Sequence, residues 1–222
     1  MAVADLLRRD EADALVREAH LNVHRYPAGF PGFRARLRLS DERGVRVGRA
    51  TLCPSRPPHV DMDTDERSHA WLLGQLDAMT GDRWHRPYAD ADGRFDKDMP
   101  EGQEGPLGAV VHLDDDALST YWIENGHVTR AGRTTPAGRM TVLVQDNVVA
   151  PDGAAVATHF TVTVQDESTG TLLSVDTCRD AWAERWGVLV PARRRVVSLT
   201  GSGSTMRDLV IDHHELLDRG AG

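Results

Sequence analysis

The pattern of apolar and polar positions changes period part-way along the chain. Over residues 3–20, Val3, Leu6, Leu7, Ala14, Leu15 and Ala19 recur three to four positions apart among charges. That spacing predicts an amphipathic helix. The run Tyr26-Pro27-Ala28-Gly29-Phe30-Pro31-Gly32-Phe33 ends it, because its prolines and glycines break helices. Strict alternation follows from Phe33 to Leu39, a half-buried strand with Phe33, Ala35, Leu37 and Leu39 inward. Residues 45–52 return after the turn Asp41-Glu42-Arg43-Gly44. A second helix is predicted over 64–80. Thr64 is its N-cap, Asp65 and Glu66 lie in its first turn, and Trp71, Leu72, Leu76 and Met79 form its apolar stripe.

Residues 81–106 lose both periods. They are rich in Asp, Gly, Pro and Arg, and read as a long irregular excursion expected to gate a pocket. Beyond them the chain reads as a meander with strands at 107–112, 118–124, 127–132, 139–148, 155–166, 171–184, 188–199 and 205–216. Turn signals such as Glu124-Asn125-Gly126, Pro151-Asp152-Gly153 and Gly201-Ser202-Gly203 separate most of them. The expected fold is α+β and mostly β: a curved antiparallel sheet or half-barrel wrapped around one or two helices. Without repeats or linkers, residues 1–222 are read as one small-molecule-binding domain.

A net charge of −8 and the absence of a basic patch argue against nucleic acid as a partner. Arg193-Arg194-Arg195 is the one dense basic run, and on a strand it divides between two faces. No stretch approaches the ~18 apolar residues of a membrane helix, so no membrane partner is expected. Two cysteines, Cys53 and Cys178, and a charged N-terminal segment predict a reducing, cytoplasmic setting. The expected partner is a small organic molecule, bound by a monomer or a homodimer. Lys97 is the only lysine and sits in the loop-like run Asp96-Lys97-Asp98, a poor place for Schiff-base chemistry.

Strand 171–184 carries the most chemistry. One face reads Leu172, Ser174, Asp176, Cys178, Asp180, Trp182, Glu184. On one reading, Asp176, Asp180 and Glu184 are a solvated face paired with arginines of neighbouring strands, Arg193 or Arg195 among them. On the other, they line a cavity where Trp182 desolvates a carboxyl group, which favours its protonated form and makes an acid catalyst. His85 is then the complementary base. His85-Arg86-Pro87-Tyr88 follows Trp84; the segment is either a packing loop or a proton shuttle, anion clamp and phenol donor. Trp84, Arg86, Tyr88, Tyr121, Trp122 and Trp182 are the candidate substrate-binding residues, and equally what a barrel core uses for bulk. The ten histidines show no HExxH or HxH spacing; His213 and His214 are adjacent, and His20 and His24 are four apart without a fixed acidic partner. No GxSxG, GxGxxG or Walker loop occurs, so neither metal nor cofactor is expected.

The order of several landmarks resembles the bacterial domain-of-unknown-function family 3386. These are Arg25-Tyr26 with Phe30-Pro31-Gly32-Phe33, His85-Arg86-Pro87-Tyr88 with Phe95, Gln165-Asp166-Glu167-Ser168-Thr169-Gly170, and the segment leading to Asp212-His213. The resemblance runs over most of the chain and implies no particular reaction. The tail from Val188 also resembles the end of half-barrel folds that wrap a curved sheet around one helix. The functional expectation is a cofactor-independent enzyme of specialised metabolism, of cyclase, lyase or isomerase type. It would cyclise, condense or isomerise an organic metabolite. The alternative is a non-catalytic small-molecule binding or carrier barrel. A third class is a partner subunit presenting an edge strand.

Overall fold

The computed structural model describes residues 3–102 and 105–218, with side chains from Arg8 onward. Two α-helices, α1 (Val3–Leu21) and α2 (Glu66–Thr80), accompany twelve strands. The strands are β1 (Phe33–Asp41), β2 (Gly44–Cys53), β3 (Arg56–Asp61), β4 (Lys97–Asp98), β5 (Ala109–Leu113), β6 (Thr120–Glu124), β7 (His127–Thr135), β8 (Gly138–Val149), β9 (Ala155–Gln165), β10 (Leu172–Arg185), β11 (Val188–Thr200) and β12 (Gly203–Leu216). They hydrogen-bond in the order β3-β2-β1-β12-β11-β10-β9-β8-β7-β6-β5-β4, an open antiparallel sheet. The mostly-β, α+β expectation therefore holds.

Two details differ from the sequence pattern. The cap of α2 is Asp65, not Thr64: its carboxylate accepts from the Ser68 amide at 3.0 Å and from the Ser68 hydroxyl at 2.9 Å. A carboxylate one residue further on reaches the exposed amides of the first turn and adds charge favourable at a helix N-terminus. β3 contains Pro57 and Pro58, which conceal a strand in the sequence. It survives because it is an edge strand and the two prolines fall where the β2–β3 register shifts.

The chain divides into two compact units. The first comprises residues 1–23, 86–178 and 198–203. Its core sets Ala12, Val16 and Ala19 of α1 against Val111, Leu113 and Ile123 of β5 and β6. The second comprises residues 24–85, 179–197 and 204–222. Its core takes the inward set Phe33, Ala35, Leu37 and Leu39 of β1, the stripe Leu72, Leu76 and Met79 of α2, and Val188, Val190, Leu209 and Ile211. The alternation of β1 is complete: those four are buried, and Arg34, Arg36 and Arg38 are exposed. Gly32 (φ 97°) enters this strand where a Cβ would overlap the Leu52 carbonyl, so only glycine fits.

Candidate functional site

In the first unit the antiparallel registers carry one face across five strands. Val111 opposes Tyr121, Tyr121 opposes Ala131, Ala131 opposes Val142, and Val142 opposes Val162. Directly opposed residues share a face. The row therefore starts under α1, where Val111 is fully buried, and continues to β8 and β9. There it widens: Met140 opposes Val164 and Val144 opposes Phe160. Met140, Val142, Val144, Phe160, Val162 and Val164 are all half-buried, and none belongs to either core cluster. The opposite face of the same strands carries Arg139, Thr141, Thr161 and Thr163, with Leu143 the apolar exception. An antiparallel sheet with one apolar and one polar face normally covers the apolar one.

Beside this face, a polar cluster fixes the excursion to α1. Lys97 Nζ lies 3.0 Å from Asp13 Oδ1 and donates to the Phe95 carbonyl at 2.8 Å. The Tyr88 hydroxyl donates to the same carboxylate oxygen at 2.7 Å. Burial and the bond to Asp13 push the Tyr88 phenol upward. Burial works against ionisation of Asp13, but the bonds from Tyr88 and Lys97 outweigh it and hold the carboxyl below its usual range. His20, also buried, meets the Arg86 carbonyl at 3.1 Å and the Tyr88 ring edge-on at 5.4 Å.

The sequence-predicted residues fall in both units. In the first, Tyr88 and Tyr121 pack against the core beneath α1, and the Tyr121 hydroxyl donates to Asp92 at 3.3 Å. Trp122 occupies the other face of β6 with the Arg130 guanidinium 4.3 Å above its ring. Arg86 is exposed, with Nε on the Asp90 carbonyl at 2.9 Å, and Asp176 is half-buried. In the second, Trp84 and Trp182 pack against the core, while His85 and Glu184 are exposed. The Asp180 side chain is 1% exposed and held in a two-pronged ion pair by Arg194, at 2.8 and 2.6 Å. Arg194 also donates to the carbonyl and side-chain oxygen of Gln75 on α2. His85 makes no hydrogen bond or ion pair with Asp176, Asp180 or Glu184 among the described residues. No sequence motif marks Arg194, Gln75, Asp13 or Lys97 as site residues. The one available signal was parity, which sets Arg194 on the face opposite to Arg193 and Arg195.

The adjacent histidines are separated by backbone. His213 adopts φ 52° where the β1–β12 register shifts, and stays exposed. His214 Nε2 donates to the Pro191 carbonyl at 2.8 Å, and its Nδ1 is buried without a partner. Burial pushes the His214 imidazole below its ordinary value. A histidine depressed in the folded state favours folding above its unfolded pKa of about 6.5 and loses that contribution as pH falls below it. Melting temperature should therefore fall between pH 7 and pH 5, and His214→Gln should flatten that slope by up to about 1 kcal/mol per pH unit. Thermal melts across this range check it; an unchanged slope in the variant removes His214 as the cause.

A family model described as a protein of unknown function, DUF3386, matches residues 7–217. The chain belongs to the DUF3386 family. No curated protein matches this DUF3386 chain. Two solved structures are similar to it. One is described as an outer membrane lipoprotein-sorting protein domain from Vibrio parahaemolyticus, 8% identical, covering 96% of this chain and 95% of that one, with a TM-score of 0.42. The other is a DUF1329 family protein from Desulfovibrio piger, 9% identical, covering 97% and 95%, with a TM-score of 0.38. The expectation of a cofactor-independent catalyst is corrected by the geometry, because Asp180 is closed in its ion pair with Arg194 while His85 and Glu184 are exposed; the cytoplasmic location is withdrawn as well. No helix among the described residues is long and apolar enough to cross a membrane.

Proposed function

We propose that this DUF3386 protein is a non-catalytic carrier that binds an apolar, chain-like small molecule of lipid class. The observation that carries the reading is the row Met140, Val142, Val144, Phe160, Val162 and Val164, half-buried and outside both cores. An apolar strip of this kind draws a ligand by removing hydrocarbon from water, worth about 25 cal/mol per Å² buried. It needs no reactive group, which suits a face whose neighbouring polar cluster is closed on itself. In this reading β5–β9 form a half-barrel wall, α1 covers one part of it and cargo the other. Residues 1–222 then work as a single binding domain for a small organic molecule.

Titration with the fluorescent fatty acid cis-parinaric acid tests the reading. We expect saturable binding that Val142→Asp weakens at least tenfold, because a carboxylate in an apolar contact costs more than the 1.4 kcal/mol that factor represents. Thr141→Asp, one residue away on the polar face, should leave binding unchanged. Equal affinity in both variants, or no binding by the unaltered protein, would overturn it.

A further inference from the structure

The second unit contains two buried donors that nothing in it satisfies. Tyr26 is 1% exposed, and its hydroxyl has no hydrogen-bond partner among the described residues. Arg83 Nε is likewise buried and unpartnered. A backbone bond from the Tyr26 amide to the Arg83 carbonyl, 2.6 Å, makes the two residues neighbours. Buried polar groups left unpaired are rare in folded proteins and usually mark a ligand or a strained functional position. A guanidinium is the costliest of them, because it cannot shed its charge.

The surroundings of Arg83 leave its guanidinium incompletely satisfied. Its guanidinium lies 5.5 Å from the centre of the Trp182 ring, and Nη1 donates to the His24 carbonyl at 3.4 Å. No carboxylate forms an ion pair with it among the described residues. Arg83 and Trp182 are half-buried as whole residues. The Tyr26 ring is fixed by stacking on Phe30 (4.8 Å) and Trp84 (4.9 Å), so its hydroxyl has little freedom to seek another partner. Charge count decides between anions. Asp82 and Asp180 both act on Arg83 with favourable sign, while Arg25 opposes them. Asp180 is already committed to Arg194. Arg83 offers the single charge of one guanidinium that has no ion-pair partner among the described residues, which matches a carboxylate rather than a phosphate dianion.

We propose that Tyr26 and Arg83 form a binding site for one carboxylate monoanion, seated beside Trp182. The carboxylate accepts from Arg83 and from the Tyr26 hydroxyl, and its plane matches the guanidinium fork. This site lies in the second unit and stands independently of the apolar row in the first.

The test uses the full chain with sodium propionate as the probe, and sodium chloride, sodium phosphate and neutral propionamide as comparisons at matched ionic strength. Melting temperature and tryptophan fluorescence are followed. Propionate should raise the melting temperature in a saturable way and change the emission; propionamide should do neither. Tyr26→Phe removes an unpartnered hydroxyl, so without probe its melting temperature should be unchanged or slightly higher, while propionate affinity falls about tenfold. Arg83→Lys keeps the charge and loses Nε, and should weaken propionate in the same direction. If Tyr26→Phe is destabilised without probe and propionate has no effect, the hydroxyl is structural and the proposal fails. It also fails if chloride stabilises as well as propionate and the effect survives both substitutions, since the ion is then adventitious only. A stronger response to phosphate than to propionate overturns the assignment to a monoanion.

Discussion

Asp180→Asn should lower the stability of the protein by about 3–5 kcal/mol, the largest effect of any single polar substitution considered. Asp180 and Arg194 are 1% and 5% exposed, and the amide would leave the guanidinium without its carboxylate in a site that water scarcely enters. The loss propagates, because Arg194 also holds the carbonyl and side chain of Gln75 and so pins the middle of α2. For a chain of 222 residues, each kcal/mol moves the melting temperature by about 2–4 °C, so a fall of roughly 10 °C is expected. Arg194→Met alone should be comparably damaging. The double change Asp180→Leu, Arg194→Met should recover much of the loss, since replacing a whole buried ion pair by apolar groups is often close to neutral. Thermal melts of the three variants decide it. A single amide variant that melts like the parent would show that the pair is solvated and carries no stability.

How legible each feature was depended on whether its signal was local. The alternation at Phe33–Leu39 was plain because its two faces differ as sharply as leucine and arginine, and the structure buries one set and exposes the other. The apolar row of β8 and β9 was present in the same form, as Met140, Val142, Val144 and Phe160, Val162, Val164. Its significance was not, because only the register shows that it continues the face that α1 covers. β3 was hidden by Pro57 and Pro58, since proline reads as a breaker unless the strand is known to be an edge. Asp180 stands in the sequence as one of three acids on one face of its strand, with Asp176 and Glu184, and nothing local sets it apart from them. Its partner is Arg194, where the sequence pattern offers Arg193 or Arg195. Arg193 and Arg195 turn to Asp208. A one-residue difference in register reverses every side chain, and no local pattern fixes it. The run Asp96-Lys97-Asp98 reads as a loop. The burial of Lys97 follows from Asp13, 84 positions away and on a helix face that the pattern marks simply as charged.

That long-range pair carries the second large expectation: Asp13→Asn should cost about 2–3 kcal/mol and loosen residues 86–98 where they meet α1. Lys97 has a side chain 3% exposed, and Asp13 supplies its one carboxylate among the described residues. The amide keeps at Oδ1 an oxygen within reach of both the Tyr88 hydroxyl and Lys97 Nζ, but it removes the ammonium's counter-charge, and the Phe95 carbonyl and the face of the Tyr88 ring at 5.4 Å do not replace it. Asp13 itself is 37% exposed, so water softens the loss and sets it below that of Asp180. A pH signature separates charge from packing. Asp13 sits below its ordinary value when folded, so its contribution is present above the unfolded pKa of 3.8 and is lost as pH falls through the folded value. The parent should therefore lose stability on acidification towards pH 3 more steeply than Asp13→Asn does. Lys97→Met added to Asp13→Asn should restore part of the stability, because it removes the stranded charge. Hydrogen exchange should show faster amides over residues 88–98 in the single variant and slower ones again in the double. Exchange unchanged in both, with the melting temperature of Asp13→Asn equal to the parent, would mean that the excursion is held to α1 by Tyr88, Phe95 and Met99 packing alone.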